Sequence, residues 1–418
     1  MNAISLRVKH ILDHPLFSGS LIMVAGSNLI NLINYAYHLI MGRILGPPAY
    51  GELAALFSLL GLLGVVAVAL NLVVVKYISS TPDDKERSGL IKWFDTQTLK
   101  ITLIFFVITA LLAPFIAGFL NLSSTFSIIL VALAVVFILL TTVNRSALQG
   151  LLLFRQSMTI FLVEHGLKLL IGVTLVALGF SVGGAMLGFV LAAILSWVTA
   201  KKLLPAKFRG GQTVLLDLKP VLSYALPVLL QSVAVTSLYS TDLVLVKHFF
   251  SSGEAGLYAA LSNLGKIIFF AAGPISTVMF PIVSKRQSQG EGFLKLFIYS
   301  LFATAVVAVG ILLIFELFPE RAITLLYGKL YIDAAGLLIY FGLFMTLFTL
   351  SSLLINFHLS LKRVRVVIFP LLAAIFQAVG IWSFHESLLS VIIVSIITNV
   401  LLLVSLSFYT VVTHYQKR

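Results

Sequence analysis

The chain of 418 residues contains no cysteine, which excludes disulfides, thiolate metal sites and cysteine nucleophiles. It lacks the Gly-x-x-x-x-Gly-Lys-Ser/Thr loop that binds nucleotide phosphates, so this chain does not itself hydrolyse ATP. Neither a His-Glu-x-x-His nor a Gly-x-Ser-x-Gly motif is present. The sequence therefore predicts a protein that is not an enzyme, holds no metal or cofactor, and draws energy from an ion gradient, the membrane potential or its substrate's gradient.

Charge is also scarce. Asp, Glu, Lys and Arg make up 10% of the residues and hydrophobic residues 60%, whereas soluble domains are roughly 25% charged. Apolar stretches of about 20 residues predict transmembrane helices. An all-α polytopic membrane protein with about twelve such helices is predicted, with no soluble domain of useful size. The predicted spans lie near 17–41, 51–79, 94–119, 125–148, 158–179, 182–203, 221–247, 255–283, 293–318, 332–360, 364–384 and 387–412.

The charge that is present is unevenly distributed. Lys and Arg number 28 against 15 Asp and Glu, a net charge of +13. With the N-terminus inside, 21 of the 28 fall in cytoplasmic loops, tails and helix ends, four in or beside external loops, and three (Lys100, Lys168 and Lys266) further inside helices. This asymmetry follows the positive-inside rule and predicts a multi-pass protein of the plasma (inner) membrane with both termini cytoplasmic. The basic excess therefore indicates topology and no nucleic-acid partner.

Part of the sequence recurs about half the chain length downstream. Residues 49–56, AYGELAAL, are echoed by residues 254–261, EAGLYAAL, with Gly51 aligned to Gly256. Duplicated sets of membrane helices are typical of transporters, whose substrate site lies at the interface of the repeats. The predicted division is two parallel repeats of six helices, 1–204 and 221–418, joined by a basic cytoplasmic linker at 205–220.

Two predicted helices carry a stripe of polar residues at helical spacing. Such a stripe is unfavourable in lipid unless it faces other helices or water. Two interpretations follow: the stripes line a central hydrophilic cavity, or they hold helices together by hydrogen bonds. The residues are Asn31, Asn34, Tyr35 and His38 on the first helix, and Gln231, Tyr239 and Asp242 on the seventh.

Lys168 lies near the middle of the fifth predicted helix, where a lysine costs about 2.5–3.5 kcal/mol. Glu164 precedes it by four residues, the favourable spacing for an ion pair. Two interpretations remain: a neutralised Glu164–Lys168 pair that holds the bundle together, or a cationic, protonatable site in a cavity. Because an unperturbed histidine titrates near neutral pH, His165 and Glu164 are candidates for proton coupling.

Three other charged residues lie within predicted helices. Lys266 is well inside the eighth helix, with no acid one turn away, and is a second cavity candidate. Arg145, at the cytoplasmic end of the fourth helix, either lines the cytoplasmic mouth or snorkels to the interface. Asp242, near the external end of the seventh helix, is a further coupling candidate with Lys247 or His248 as its predicted partner.

The segment at 42–51 reads Gly-Arg-Ile-Leu-Gly-Pro-Pro-Ala-Tyr-Gly. It resembles the Gly-Arg-x-Leu-Gly-Pro-x-x-Tyr-Gly signature of the oligosaccharide flippases, the Wzx-type O-antigen and polysaccharide translocases. In the second half, Tyr-Ala-Leu-Pro at 224–227, Asp242 and Ala-Gly-Leu-Tyr-Ala at 255–259 are similar to that family's C-terminal pattern. The resemblance spans both halves, and the family's superfamily also contains multidrug exporters and peptidoglycan-precursor flippases.

The resemblance implies a MATE-like fold in which two six-helix bundles form a V around a cavity with alternating access. The implied function is translocation of a polyprenyl-pyrophosphate-linked oligosaccharide from the cytoplasmic to the external leaflet, for biosynthesis of O-antigen, capsule or exopolysaccharide. The implied partners are the lipid-linked oligosaccharide, membrane lipids and a polysaccharide polymerase or chain-length machinery.

Chemistry suggests how the candidate residues divide over such a substrate. A pyrophosphate prefers Lys and Arg partners, which assigns it to Lys168, Lys266 and Arg145. Amides and aromatic rings suit sugar hydroxyls and ring faces, which assigns the glycan to the remaining stripe residues, namely Asn31, Asn34, Tyr35, His38, Gln231 and Tyr239.

Two alternatives remain open. A cation-coupled multidrug exporter shares the fold, but such exporters commonly use a carboxylate on the first helix, where this chain has Asn28, Asn31 and Asn34. Its basic cavity candidates would also repel cationic drugs. A membrane enzyme of polysaccharide assembly needs a catalytic site, usually on a substantial external loop, and the external loops predicted here are short.

Overall fold

The computed structural model describes residues 15–211, 216 and 218–415. Every regular element in these residues is a helix. Ten helical stretches among them are long and apolar enough to cross a membrane. The predicted all-α polytopic fold class is confirmed, and the chain is a multi-pass membrane protein.

The helices follow the predicted spans closely. The first, α1, is Pro15–Ser80, and the seventh predicted span is divided into α6 and α7 by a break at residues 239–240. The remaining helices are α2 Asp84–Phe119, α3 Phe126–Gly150, α4 Phe154–Leu175, α5 Ser181–Leu203, α6 Leu218–Leu238, α7 Thr241–Phe249, α8 Ser252–Ser288, α9 Leu294–Leu317, α10 Pro319–Leu326, α11 Leu338–Ser360, α12 Ile368–Ser383 and α13 Leu388–Tyr415. A π turn, Val176–Phe180, joins α4 to α5, and 3-10 turns lie at Ala206–Phe208, Lys329–Leu337 and Val364–Val367.

Two of the ten stretches each contain two membrane spans. The stretch within α1 is 56 residues long, or about 84 Å at 1.5 Å per residue, against a hydrocarbon core of about 30 Å. It is interrupted at Gly46, whose φ of 69° lies in the left-handed region, and Pro47 and Pro48 follow. The 50-residue stretch from α4 to α5 is interrupted at Gly179, with φ 95°. Dividing both stretches at these glycines gives the predicted number of twelve.

The helices form two compact units. The first comprises Met1–Ile44 and Leu63–Leu229, and the second Leu45–Leu62 and Leu230–Arg418. This division differs from the predicted bundles, because residues 45–62 lie with the second unit and the boundary falls inside α6 rather than in the linker at 205–220.

The two copies of the repeated sequence explain why residues 45–62 lie in the second unit. A Cβ on Gly51 would lie 2.5 Å from the backbone nitrogen of Gly256, and a Cβ on Gly256 would overlap the carbonyl oxygen of Pro47. The backbones therefore touch where the glycines align. Beside this contact, the Tyr50 hydroxyl accepts a hydrogen bond of 2.6 Å from the amide of Asn263.

One helix lies at the centre of each unit. In the most apolar window of α3, 72% of the residues are buried, and the same fraction holds for the stretch that ends in α11. In the first unit, α4 and α5 approach closely, because a Cβ on Gly188 would lie 2.6 Å from the Cα of Gly172. Charged residues on α3 and α4 are consequently held in the interior of the first unit.

Candidate functional site

Lys168 on α4 lies at the centre of a polar cluster in the first unit. Its side chain is 3% exposed, and its ammonium donates a hydrogen bond of 2.5 Å to Oδ1 of Asn34 on α1. Nδ1 of His165 lies 3.0 Å from the same oxygen. The ammonium also lies 4.5 Å from the ring centroid of Tyr37. The fold thus brings Asn34 to His165 and Lys168, which lie more than a hundred residues further along the chain, and Tyr37 is a contact that sequence reasoning missed.

Arg145 belongs to the same interior and does not snorkel. It lies on α3 and is 9% exposed, with its guanidinium carbon 3.6 Å above the ring of Phe161. That ring stacks in turn on His165. Nη2 makes a long hydrogen bond of 3.4 Å to Thr142, and Nε has no hydrogen-bond partner in the described part of the chain. This burial argues against the interpretation of Arg145 as an interfacial residue, and one donor of its guanidinium is left without a partner among the described residues.

Glu164 interacts electrostatically with both cations. Its side chain is buried, the charges of Arg145 and Lys168 both act on it, and the Ser196 hydroxyl donates to its carboxylate over 3.4 Å. The sequence suggested a two-residue pair with Lys168, but the charge of Arg145 acts on the carboxylate as well. With both basic groups protonated and Glu164 ionised, these three side chains carry one net positive charge. This charge makes the cluster attractive to an anion.

The other candidates on α1 differ in their contacts and in their exposure. The imidazole of His38 meets the ring of Tyr37 edge-on at 5.6 Å. Tyr35 is half-buried, and its hydroxyl has no hydrogen-bond partner among the described residues. Asn31 is exposed. The periodicity of the stripe therefore identified Asn34 as a contact of the basic residues but did not separate it from its neighbours.

A second pair of opposite charges lies in the second unit. Asp242 on α7 is 0% exposed and accepts a hydrogen bond of 2.8 Å from the hydroxyl of Tyr258. The charge of Lys266 acts on it from α8. The Lys266 ammonium lies 5.4 Å from the ring centroid of Tyr239. The sequence predicted neither partner of Asp242, since it suggested Lys247 or His248, which lie nearer in the chain.

The two charge clusters differ in net charge. Asp242 and Lys266 are single charges of opposite sign, so this site is neutral when both are ionised, and Lys266 is partly exposed. Gln231, two turns before Tyr239, is half-buried on α6.

Tyr258 could have been found from the sequence, because it lies within the second copy of the repeat. Phe161 lies four residues before His165 on the same helix face.

Comparison with known proteins gave matches to one family and to several structures. The sequence model of a family described as "Polysaccharide biosynthesis protein" matches residues 40–336. No curated protein matches the sequence. A solved structure of the lipid II flippase MurJ in an inward closed conformation is 15% identical, with a TM-score of 0.75 over 93% of this chain and 87% of that one.

Two transporters of the MOP superfamily give similar matches. A multidrug resistance MATE family transporter in an inward-facing conformation is 14% identical, with a TM-score of 0.74 over 91% of this chain and 94% of that one. A transporter from Pyrococcus furiosus, described as having a binding pocket of reverse polarity, is 16% identical, with a TM-score of 0.63 over 94% and 93%. Likeness at these identities shows the fold, which confirms the predicted MATE-like architecture.

Proposed function

We propose, from the premise that the chain belongs to the polysaccharide biosynthesis protein family, that it is a transporter of a polyprenyl-pyrophosphate-linked oligosaccharide. It moves this substrate from the cytoplasmic to the external leaflet by alternating access. The observation that carries the proposal is the buried cationic cluster of the first unit, in which Lys168 and His165 meet at Asn34 and Arg145 lies over Phe161, the ring that stacks on His165. The fold that the chain shares with a lipid II flippase and a multidrug transporter supports a transport function.

The cluster suits a pyrophosphate for reasons of charge and geometry. Burial of a net positive charge is unfavourable in a medium of low dielectric constant unless an anion compensates it. A guanidinium is a planar fork of donors that matches phosphate oxygens, and an ammonium is a compact point charge. Nε of Arg145 has no hydrogen-bond partner among the described residues, and the Lys168 ammonium is buried in the same unit. A bound pyrophosphate would compete with Glu164 for both cations.

Coupling and the second cationic site are proposed on the same basis. Basic side chains act electrostatically on Glu164 and Asp242, and His165 shares the Asn34 oxygen with Lys168, so we assign proton coupling to these three titratable groups. Lys266, which is partly exposed in the second unit, is a second contact for the phosphate. The protein would act in the plasma (inner) membrane, with both termini cytoplasmic, and would supply a polysaccharide polymerase or chain-length machinery.

The runner-up function is export of cationic drugs, which the fold also supports. The excess positive charge of the first unit argues against it, because like charges repel strongly where water is excluded. A single cell-based experiment separates the two functions. The protein is depleted, lipid-linked oligosaccharides are quantified by mass spectrometry, and their sidedness is tested with an impermeant glycosidase.

Accumulation of a polyprenyl-pyrophosphate glycan on the cytoplasmic face would support the proposal and would identify the sugar. An unchanged lipid-linked pool would contradict it. In that case, loss of cationic-dye efflux in the depleted cells would establish the exporter instead. Re-expression of the intact chain in the depleted cells is the control for indirect effects of the depletion.

A further inference from the structure

A cavity of about 280 Å³ lies at one end of the first unit, where α2, α3 and α5 meet the turn that follows α5. This end adjoins the predicted cytoplasmic linker at 205–220. Three basic side chains and one acidic side chain line the cavity, which therefore carries two net positive charges when all four are ionised. They are Lys92, Lys201, Arg209 and Asp95, and none of them belongs to the cationic cluster described above.

The basic groups of this cavity are accessible and retain donors. Lys92, Lys201 and Arg209 are all exposed, so an occupant can reach them. Lys92 makes no ion pair with any of the described residues. The Arg209 guanidinium is held in place by two backbone carbonyls, since Nε donates to Leu204 over 2.7 Å and Nη2 donates to Lys202 over 2.5 Å. Its Nη1 has no hydrogen-bond partner in the described part of the chain and is a pre-oriented donor for an anion.

The acid of the cavity compensates only part of this positive charge. Oδ1 of Asp95 accepts a hydrogen bond of 3.0 Å from the amide of Asn144 on α3, and the charge of Lys201 on α5 acts on the same carboxylate. The Lys201 ammonium also lies 4.5 Å from the ring centroid of Trp197. Asp95 thus links α2 to α3 and α5, and the charges of Lys92 and Arg209 remain for a ligand.

The surface beside the cavity indicates that the anion belongs to a lipid. Leu99 and Leu103 follow Lys92 on α2 at the spacing that puts all three on one face of the helix. The two leucines are 42% and 50% exposed, and in a membrane-spanning chain such a face contacts acyl chains. Basic pockets between membrane helices on the cytoplasmic side bind anionic lipid head groups. A head group in the cavity would have its acyl chains along α2.

We propose that this cavity binds the phosphate of an anionic phospholipid. The phosphate oxygens accept hydrogen bonds from Lys92 and Arg209, and the acyl chains pack on Leu99 and Leu103. The inference goes beyond the proposed function, because the ligand is a lipid of the surrounding membrane and not the transported substrate.

Native mass spectrometry of the purified full chain in detergent tests the inference. The probes are phosphatidylglycerol, which is anionic, phosphatidylcholine, which is zwitterionic, and glycerol phosphate, a head group without acyl chains. Lys92→Gln and Lys201→Gln each remove one cation from the cavity. Lys100→Gln and Lys202→Gln are the matched controls, since each replaces an exposed lysine on the same helix, α2 or α5, that does not line the cavity.

We expect phosphatidylglycerol to bind more tightly than phosphatidylcholine. Lys92→Gln and Lys201→Gln should each weaken phosphatidylglycerol binding about fivefold, the effect of one basic residue near a membrane surface, and leave phosphatidylcholine binding unchanged. The two control variants should bind phosphatidylglycerol as the intact chain does. Asp95→Asn should strengthen binding, because it removes the one negative charge of the lining.

Equal binding of the two phospholipids, or equal weakening by the control variants, would overturn the inference. Displacement of phosphatidylglycerol by an equal concentration of glycerol phosphate would also overturn it and would assign the cavity to a soluble phosphate compound. Tighter binding of decaprenyl phosphate, weakened by the same variants, would assign the cavity to the transported lipid instead. If Lys201→Gln does not yield folded protein, because Lys201 packs on Trp197, Lys92→Gln decides the question. The measurement needs no transport, so its failure leaves the proposed function intact.

Discussion

Replacement of Lys168 by alanine distinguishes a substrate site from a structural ion pair. The ammonium contacts Asn34 and the ring of Tyr37 and shares Glu164 with Arg145. A charge-assisted hydrogen bond to a phosphate is worth about 1.5–3 kcal/mol. Its loss should lower transport by a factor of about 10–150. Folding should survive, because Arg145 still compensates Glu164.

The structural-pair interpretation predicts different effects on stability and on transport. Removal of one partner of a buried ion pair costs about 3–5 kcal/mol of stability, because the other charge is left uncompensated. Lys168→Ala would then lose folded protein, and Glu164→Gln in the same chain would restore both folding and transport. In a substrate site, the double variant stays inactive, because the cation that binds phosphate is still missing.

The assay measures both quantities in parallel. Thermal unfolding of the purified variants gives stability, and flipping of lipid-linked oligosaccharide in reconstituted vesicles gives transport per folded protein. Lys100→Ala is the matched control, since Lys100 is an exposed lysine on α2. Normal flipping by folded Lys168→Ala protein would refute our reasoning, and so would recovery of flipping in the double variant.

Two further predictions concern packing and access. Gly256→Ala should lower the free energy of unfolding by about 1–3 kcal/mol, the cost of overpacking, because the new methyl group would overlap the Pro47 carbonyl. Gly64→Ala is the control. Because Gly64 has open space around it, this variant should change stability by less than about 0.5 kcal/mol. Lys266→Cys should react with a water-soluble thiol reagent about tenfold faster than Lys168→Cys, because Lys266 is partly exposed and Lys168 is buried. Equal melting temperatures of the two alanine variants, or equal labelling rates, would contradict these predictions.

The helices could be predicted because their signal is local. Hydrocarbon thickness fixes the length of an apolar stretch, and Gly46 followed by Pro47 and Pro48 marks the break in α1. The burial cost of a mid-membrane lysine also singled out Lys168, with its partner Glu164 one turn away. These arguments need only a residue, its near neighbours in sequence and the thickness of the bilayer.

The partners across helices could not be predicted. Arg145 was ambiguous because its position near the end of α3 allows snorkelling, and only the packing of α4 places Phe161 under its guanidinium. Asp242 finds Tyr258 sixteen residues away, on the next long helix. The repeat revealed that residues 49–56 and 254–261 are related, but not that their glycines are in contact within one unit.

The electrostatic interaction of Glu164 with two cations bears on how a substrate leaves. A transporter must release what it binds, and a pyrophosphate held by both Arg145 and Lys168 would dissociate slowly. Glu164 already interacts with both groups, so it can reclaim them as the substrate departs. Glu164→Gln should therefore lower the substrate concentration for half-maximal flipping and also lower the maximal rate, because a neutral amide competes poorly with phosphate for Arg and Lys.

Both parameters are measured in reconstituted vesicles over a range of lipid-linked oligosaccharide concentrations, and Ser196→Ala is the milder control because it removes only a 3.4 Å hydrogen bond to the carboxylate. If Glu164→Gln raised the half-maximal concentration, Glu164 would be helping to hold the substrate site together rather than competing with the substrate. If only the maximal rate fell, Glu164 would act in a conformational step that does not depend on phosphate binding. A combined fall would show that the acid lets a cationic site bind a pyrophosphate without retaining it.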